Sequence, residues 1–301
     1  MSVSDLNPPP AEPTPGRGIR RIAPHPARAD RPASRARTAL KTGAALAFAA
    51  LVFALWLIGT PAGLDGKATA IGFAICHQIP ARSFAVNGDP LPLCARCTGT
   101  YLGVVVGFLA PVFILRRGRA GRMPHWSALA ALVLFTVVMA VDGLNSYLAL
   151  FPGGPPLYAP HNELRLLTGS LHGLTMASVI YPIFNQSVWR DWRPVRSLRH
   201  LGDLAVLVVG VLALDLLTLT HQPLILWVMG WLSTLGVLAI LMAISTVVLV
   251  SVMGRERAAR GWGDLLIPLI VAFGITFLVI GMIDAGRLAL FGSWGPMPLP
   301  G

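Results

Sequence analysis

Apolar residues fall along the chain in seven blocks, at about 42–60, 98–115, 127–150, 164–185, 202–220, 223–252 and 264–286. A helix rising about 1.5 Å per residue needs roughly 20 apolar residues to cross the hydrocarbon core of a bilayer. The pattern therefore predicts an all-α, polytopic transmembrane bundle of about seven spans over residues 42–301. The sixth block is longer than a bilayer requires and is expected to tilt or project beyond it. The count of seven rests on residues 220–223 forming a true turn between the fifth and sixth spans.

Two stretches do not fit the spanning pattern. Residues 1–41 are rich in Pro, Ala and Arg, and Pro8, Pro9, Pro10, Pro24 and Pro26 favour extended backbone without pairing. They are expected to form a disordered, basic cytoplasmic tail. The tail is too long and polar for the n-region of a signal peptide, so the next block is read as an uncleaved span. The other stretch is the loop at 61–97. Its residues 68–77 are helical in pattern but too few to span, so a short helix lying at the interface or re-entering is expected. Pro80 ends it. Asn87-Gly88, flanked by extended residues, then predicts a two-residue hairpin that brings Cys94 back towards Cys76.

Composition agrees with the membrane reading. Hydrophobic residues make up 54% and charged residues 12%, whereas an ordinary soluble domain carries about 25% charged residues. A soluble enzyme, a disordered acidic protein and a collagen-like fibre are excluded. The net charge of +11 invites a nucleic-acid reading. However, 19 of the 24 basic residues sit in clusters of eight, four, four and three, at 17–41, 116–122, 190–199 and 255–260. Each adjoins the end of an apolar block, where Lys and Arg mark the cytoplasmic side. Seven spans with the N-terminus inside and the C-terminus outside place all four clusters inside. The bilayer is the expected partner, with no nucleic acid, and the plasma membrane is the expected site. Trp126, Trp189, Trp192 and Trp262 then mark inner ends, and Trp56, Tyr147, Phe151, Tyr158, Trp227 and Trp231 outer ends.

All three cysteines, Cys76, Cys94 and Cys97, fall in the outer loop or at its end, in the pattern Cys-His-x16-Cys-x2-Cys. A C-x-x-C pair presents two thiolates to one ion from a tight turn, and a remote Cys or His completes a tetrahedron. Zinc bound by Cys76, His77, Cys94 and Cys97 is the leading expectation. Adjacent helical residues point about 100° apart, so Cys76 and His77 share an ion only where the helix frays. Two alternatives stand beside it. One is a redox pair, Cys94 with Cys97, in an oxidising compartment. The other is cysteines that merely fill small apolar spaces.

Ionisable residues inside a bilayer are costly and face a bundle interior or a cavity. Asp142 and Asn145 fall in the outer part of the third span. Asn162, Arg165, Thr168 and His172 run down the fourth, where Arg165, Thr168 and His172 share one face. An outward-facing polar cavity follows, with Asp142, Arg165 and His172 as candidate chemical groups. Arg82, Arg96, Asn145, Asn162 and Thr168 are candidate substrate contacts. The bland alternative pairs Asp142 with Arg165, and Asp284 with Arg287, as structural ion pairs. Gly169 and Gly173 read as close helix packing, and Asp203 as a helix cap.

At Cys76-His77-Gln78-Ile79-Pro80-Ala81-Arg82-Ser83-Phe84 and Leu91-Pro92-Leu93-Cys94-Ala95-Arg96-Cys97-Thr98-Gly99, the chain resembles the prokaryotic integral membrane proteins called domain of unknown function 2085. Ala81 stands where that family usually has Glu. Asp142-Gly143 and Asn162-x-x-Arg165-x-x-Thr168-Gly169 are similar too, so the resemblance covers about 70–175. It implies a site at these residues and supplies no reaction.

The sequence thus leads to a membrane protein with a zinc-type Cys/His site on its outer side, over a polar cavity that handles a lipid or small polar molecule. A membrane thiol–disulfide oxidoreductase using Cys94 and Cys97 is the alternative, and a structural or assembly subunit without chemistry is a third class. Reporters fused after Arg122 and Arg199 are expected to read cytoplasmic, because those clusters resist translocation. One fused after Gly301 should read extracytoplasmic; a cytoplasmic signal there breaks the seven-span topology.

Overall fold

A computed structural model describes residues 32–151 and 154–295. Contacts divide the chain after Lys41, and Thr42–Gly301 forms the helical body. Among the described residues the helices are α1 (Pro32–Gly59), α2 (Gly63–Ile75), α3 (Ala95–Phe113), α4 (Trp126–Leu148), α5 (Asn162–Val188), α6 (Leu201–Thr218), α7 (Pro223–Val252) and α8 (Trp262–Phe291). Seven of these eight are long and apolar enough to cross a membrane. The exception is α2, whose 13 residues reach about 20 Å. Among the described residues there are also a 3-10 turn (Pro80–Arg82) and four short strands: β1 (Ala85–Val86), β2 (Asp89–Pro90), β3 (Ala120–Arg122) and β4 (Arg193–Arg196).

The turn between α6 and α7 is real, with His221 in the left-handed region at φ 55° and Pro223 opening the next helix. Residues 32–41, expected as part of the tail, are already helical and run into the first span. The rest of the expected tail lies outside the described residues. The short helix α2 starts earlier than its apolar pattern suggests and stops at Ile75, one residue before the first cysteine.

α3 is the central helix, packed against α5, α6 and α7. α3 and α5 bury 50% and 56% of their apolar windows, against 17% for the peripheral α4. On α4, Val133, Leu134, Val137, Val141 and Leu144 are left exposed, as a lipid-facing surface requires. Hydrophobic association contributes little between helices already in lipid, so close packing must supply it. Glycines provide that contact. A Cβ at Gly99 or Gly103 of α3 would strike the carbonyl oxygen of Leu166 or Ser170. One at Gly169 or Gly173 of α5 would strike that of Arg96 or Thr100. Gly236 of α7 meets the Tyr101 carbonyl in the same way on another side of α3.

At the end of the bundle that carries the cysteines, an aromatic cluster of Phe53 and Trp56 on α1 with Phe273 and Phe277 on α8 packs edge-to-face. It continues into Ala70, Ile71 and Ala74 of α2 and into Cys76 and Leu93. At the opposite end β3 pairs with β4 in parallel. There Arg117 holds Asp203 through both carboxylate oxygens at 2.6 and 3.1 Å, and Asp203, in the first turn of α6, also accepts the Arg199 N–H at 2.6 Å; the N-cap itself is His200, whose ring accepts the Asp203 N–H at 3.3 Å.

Gly173→Leu should separate α3 from α5 and lower stability by roughly 1–3 kcal/mol or more, because a packed backbone cannot give way. Gly143→Ala, where an added Cβ meets nothing within 4 Å, should be neutral or stabilising by up to about 1 kcal/mol. Thermal unfolding of both variants in one detergent checks the contrast; equal melting points would remove the seam's importance.

Candidate functional site

The chain leaves α2 at Cys76, whose backbone is extended (φ −127°, ψ 147°). Arg287, from α8, causes that exit. Its guanidinium lies 4.0 Å over the Phe73 ring and donates to the carbonyls of Phe73 and of Cys76, the latter at 2.7 Å. A cation on the last carbonyls is a favourable end for a helix. Gln78 then adopts a left-handed conformation (φ 52°) and turns the chain. Its backbone N–H donates to Cys76 Sγ at 3.4 Å. Its side-chain amide donates to the Thr69 carbonyl at 2.9 Å and the Pro92 carbonyl at 2.8 Å, stapling α2 to the segment before Cys94. Gly72 permits the approach, since a Cβ there would overlap the Pro92 carbonyl.

Between the cysteine segments, β1 and β2 pair antiparallel around Asn87 (φ 53°) and Gly88 (φ 97°). Two positive φ angles make the tight hairpin that the Asn-Gly pair encodes. The Cys94 N–H reaches Cys76 Sγ at 3.3 Å. Cys94 is the N-cap of α3, and Cys97 lies in its first turn. The ligand atoms of Cys76, Cys94 and Cys97 all lie within 4.8 Å of one another. All three are free thiols, Cys76 buried and the other two half-buried.

Their electrostatics are unequal. The hydrogen bond from Cys76 to Cys94, reinforced by burial, pushes the Cys76 thiol up to about 11. Hydrogen bonds from the thiols of Cys76 and Cys97, aided by the nearby Arg96 charge, hold Cys94 well below the ordinary cysteine range. Cys94 is therefore the cysteine whose charged form its two neighbours favour most.

His77 stands apart. It is exposed while Cys76 is buried, and the three-residue ligand group does not include it. The reason lies in the backbone: side chains of consecutive extended residues point to opposite sides. The frayed helix that would let both residues share an ion occurs here, but it turns them apart.

Arg96, between the two clustered cysteines, points to a different neighbour, α4. Its guanidinium pairs with the Asp142 carboxylate and donates to the Asp142 carbonyl at 3.1 Å and Ser146 Oγ at 3.0 Å. Asp142 is 2% exposed. It also accepts from Tyr158 Oη at 2.8 Å and Thr168 Oγ1 at 3.2 Å. Burial, with the hydrogen bond to Asp142, raises the Tyr158 hydroxyl. Arg165, 6% exposed, donates to Ser146 Oγ at 3.3 Å and Asn162 Oδ1 at 2.7 Å. Arg82 donates to the Ser146 carbonyl at 2.6 Å, and burial followed by the charge of Arg96 lowers it from its ordinary value. Three guanidinium groups thus meet around one carboxylate, and among the described residues neither Arg82 nor Arg165 has an ion-pair partner.

The pairing of Asp142 with Arg165 expected as an alternative is replaced by Asp142 with Arg96. Asp284 with Arg287 also fails to form: Asp284 accepts from Trp56 Nε1 at 3.3 Å, while Arg287 serves the end of α2. Asn145 joins the cluster by holding the loop, accepting the Leu157 N–H at 2.6 Å and donating to the Tyr158 carbonyl at 3.0 Å. Asn162 reaches the Ala81 carbonyl at 3.4 Å. His172 lies outside the network, one helical turn beyond Thr168, against Thr136 Oγ1 at 3.3 Å. Sequence reasoning missed Ser146 and Gln78, took Tyr158 only for an end marker, and assigned Arg287 to an ion pair with Asp284. Asp142→Ala is expected to couple strongly with Arg96→Ala in a double-mutant stability cycle and weakly with Arg165→Ala, since removing one partner of a buried pair costs roughly 3–5 kcal/mol. The reverse order of coupling energies would refute the assignment.

The family described as Predicted membrane protein (DUF2085) matches residues 76–179, which hold all three cysteines, Arg82, Arg96, Asp142 and Arg165. An uncharacterized protein of Methanocaldococcus jannaschii is 35% identical over 124 residues, covering 41% of this chain and 72% of that protein. An uncharacterized protein of Methanothermobacter thermautotrophicus is 31% identical over 104 residues, covering 34% of this chain and 81% of that protein. No solved structure matches. With the match starting at Cys76 and ending inside α5, and with most of each relative covered, the chain belongs to the DUF2085 family of predicted membrane proteins.

Proposed function

We propose that this membrane protein binds a thiophilic divalent cation, zinc by class, through Cys76, Cys94 and Cys97. The ion fixes the outer loop beside a cationic polar site that handles an anionic lipid headgroup or a small polar anion. The observation that carries the reading is the convergence of three sulfurs within 4.8 Å from two separate loop segments. Thiolates around a tetrahedral zinc sit about 3.8 Å apart at the usual Zn–S length, so small side-chain adjustments suffice. Backbone N–H groups of Gln78 and Cys94 already donate to Cys76 Sγ, as N–H groups around a metal-bound thiolate do to steady its charge. Three protein ligands leave a fourth position for water or a bound anion, which is the chemistry the ion would supply.

The chain's own residues provide the rest. Arg82 and Arg165 offer guanidinium groups without a carboxylate partner, suited to a phosphate or carboxylate. Asp142, itself held by Thr168, orients Arg96, and Asn162 orients Arg165. Tyr158 holds a proton on the Asp142 carboxylate edge. Loop 61–97 faces the cell exterior under the topology that the basic clusters favour, with residues 1–41 as a separate cytoplasmic tail. A second reading, thiol–disulfide exchange, is favoured by the low-lying Cys94 thiol with Cys97 in reach.

Protein purified without chelator is expected to carry one metal per chain. Cys76→Ser, Cys94→Ser and Cys97→Ser should each lose it, whereas His77→Ala should retain it. At pH 7 Cys76 is protonated without metal, because its folded value lies at about 11. Metal binding therefore releases its proton, and affinity falls as pH falls. Titration calorimetry in two buffers of different ionisation heat reads that proton; no release would remove Cys76 from the ligand set. Metal-free protein with Cys94 joined to Cys97 would sink the metal reading in favour of the exchange reading.

A further inference from the structure

A second cavity, of about 830 Å³, opens at the other end of the bundle between α3, α5, α7 and α8. Its walls are apolar, with Phe108, Phe184, Met242 and Leu269 among them. Its rim is basic: Arg116, Arg119 and Arg193 line it, and none of its lining residues is acidic. Arg119 is already committed. It pairs with Asp191 and stacks 4.2 Å from the Trp189 ring. Arg116 and Arg193 are exposed and make no ion pair among the described residues. Trp262, 70% exposed, stands at the same rim, as an indole does where bilayer meets water.

A long apolar slot closed by unpaired guanidinium groups at the headgroup level is complementary to one kind of molecule: an acyl chain ending in a negatively charged phosphate. A soluble anion would leave the apolar walls unused, and a zwitterionic lipid would present its own cation to the arginines. We infer that this cavity is a binding site for an anionic phospholipid, with its phosphate on Arg116 and Arg193 and one acyl chain against Phe108 and Met242. The site is separate from the cysteine end and does not depend on the metal reading. Basic pockets between membrane helices hold lipid headgroups on the same physical grounds.

The test uses the full chain in phosphatidylcholine nanodiscs doped with a phosphatidylglycerol probe that carries a photoreactive acyl chain. Crosslinks should map to α3 and α7 around Phe108 and Met242, and unlabelled phosphatidylglycerol should compete while phosphatidylcholine does not. Two lost guanidinium contacts correspond to roughly a thirtyfold loss of retention, expected for the double variant Arg116→Gln with Arg193→Gln. Arg199→Gln with Arg255→Gln removes the same charge away from the cavity and should change little. Ala243→Phe fills the slot without touching charge and should also lose the crosslink, which covers the case of a misfolded arginine variant. Equal labelling by a phosphatidylcholine probe, equal loss in the control pair, or undiminished labelling of Ala243→Phe would each overturn the site.

Discussion

Everything at the cysteine end of the bundle depends on how closely α3 and α5 approach. With glycine at 99 and 103 meeting glycine at 169 and 173, each backbone lies against the other's carbonyls. No side chain separates them, so residues just outside the seam are held at fixed depth and rotation. Arg96 and Thr168 sit beside these glycines, and Asp142 on α4 closes over both. A wider seam would pull Arg96 from Asp142 and leave a buried carboxylate without its cation, a costly state in a low-dielectric interior.

The first turn of α3 serves two sites at once. Cys94 and Cys97 face α2 and the hairpin, whereas Arg96 faces α4 and α5. Successive helical residues differ by about 100°, so the Cys-Ala-Arg-Cys run places thiols and guanidinium on different sides of one turn. That spacing puts the Arg96 charge near enough to favour the Cys94 thiolate while its donors stay with Asp142. In the proposed function, metal and anion are coupled through this turn.

Much of this was legible in the sequence. Apolar blocks gave the spans to within a few residues, because lipid forces every backbone group into internal pairing and leaves helix as the default. The hairpin was legible because Asn87-Gly88 specifies its turn chemically. The nearness of Cys76 to Cys94 followed from that turn. Helix rotation was not legible. Periodicity places Arg165 and Thr168 on one face but does not say which carboxylate of a neighbouring helix that face meets, so Arg96 rather than Arg165 emerged as the partner of Asp142 only from packing. That His77 turns away from the cysteines was not legible for a similar reason: the chain leaves α2 against Gln78 and a distant arginine, and no local pattern announces either.

That distant arginine has a consequence for how the protein is made. Arg287 follows Cys76 by 211 residues and belongs to the last span. At the usual 5–20 residues per second, the ribosome needs roughly 10–40 seconds to supply it after the first cysteine emerges. Until then the end of α2 lacks its clamp, and the cysteine knuckle is held only by the hairpin and Gln78. The cysteine site is therefore completed last, by insertion of the final helix, and translation that stops short of α8 leaves three thiols in an unfinished loop.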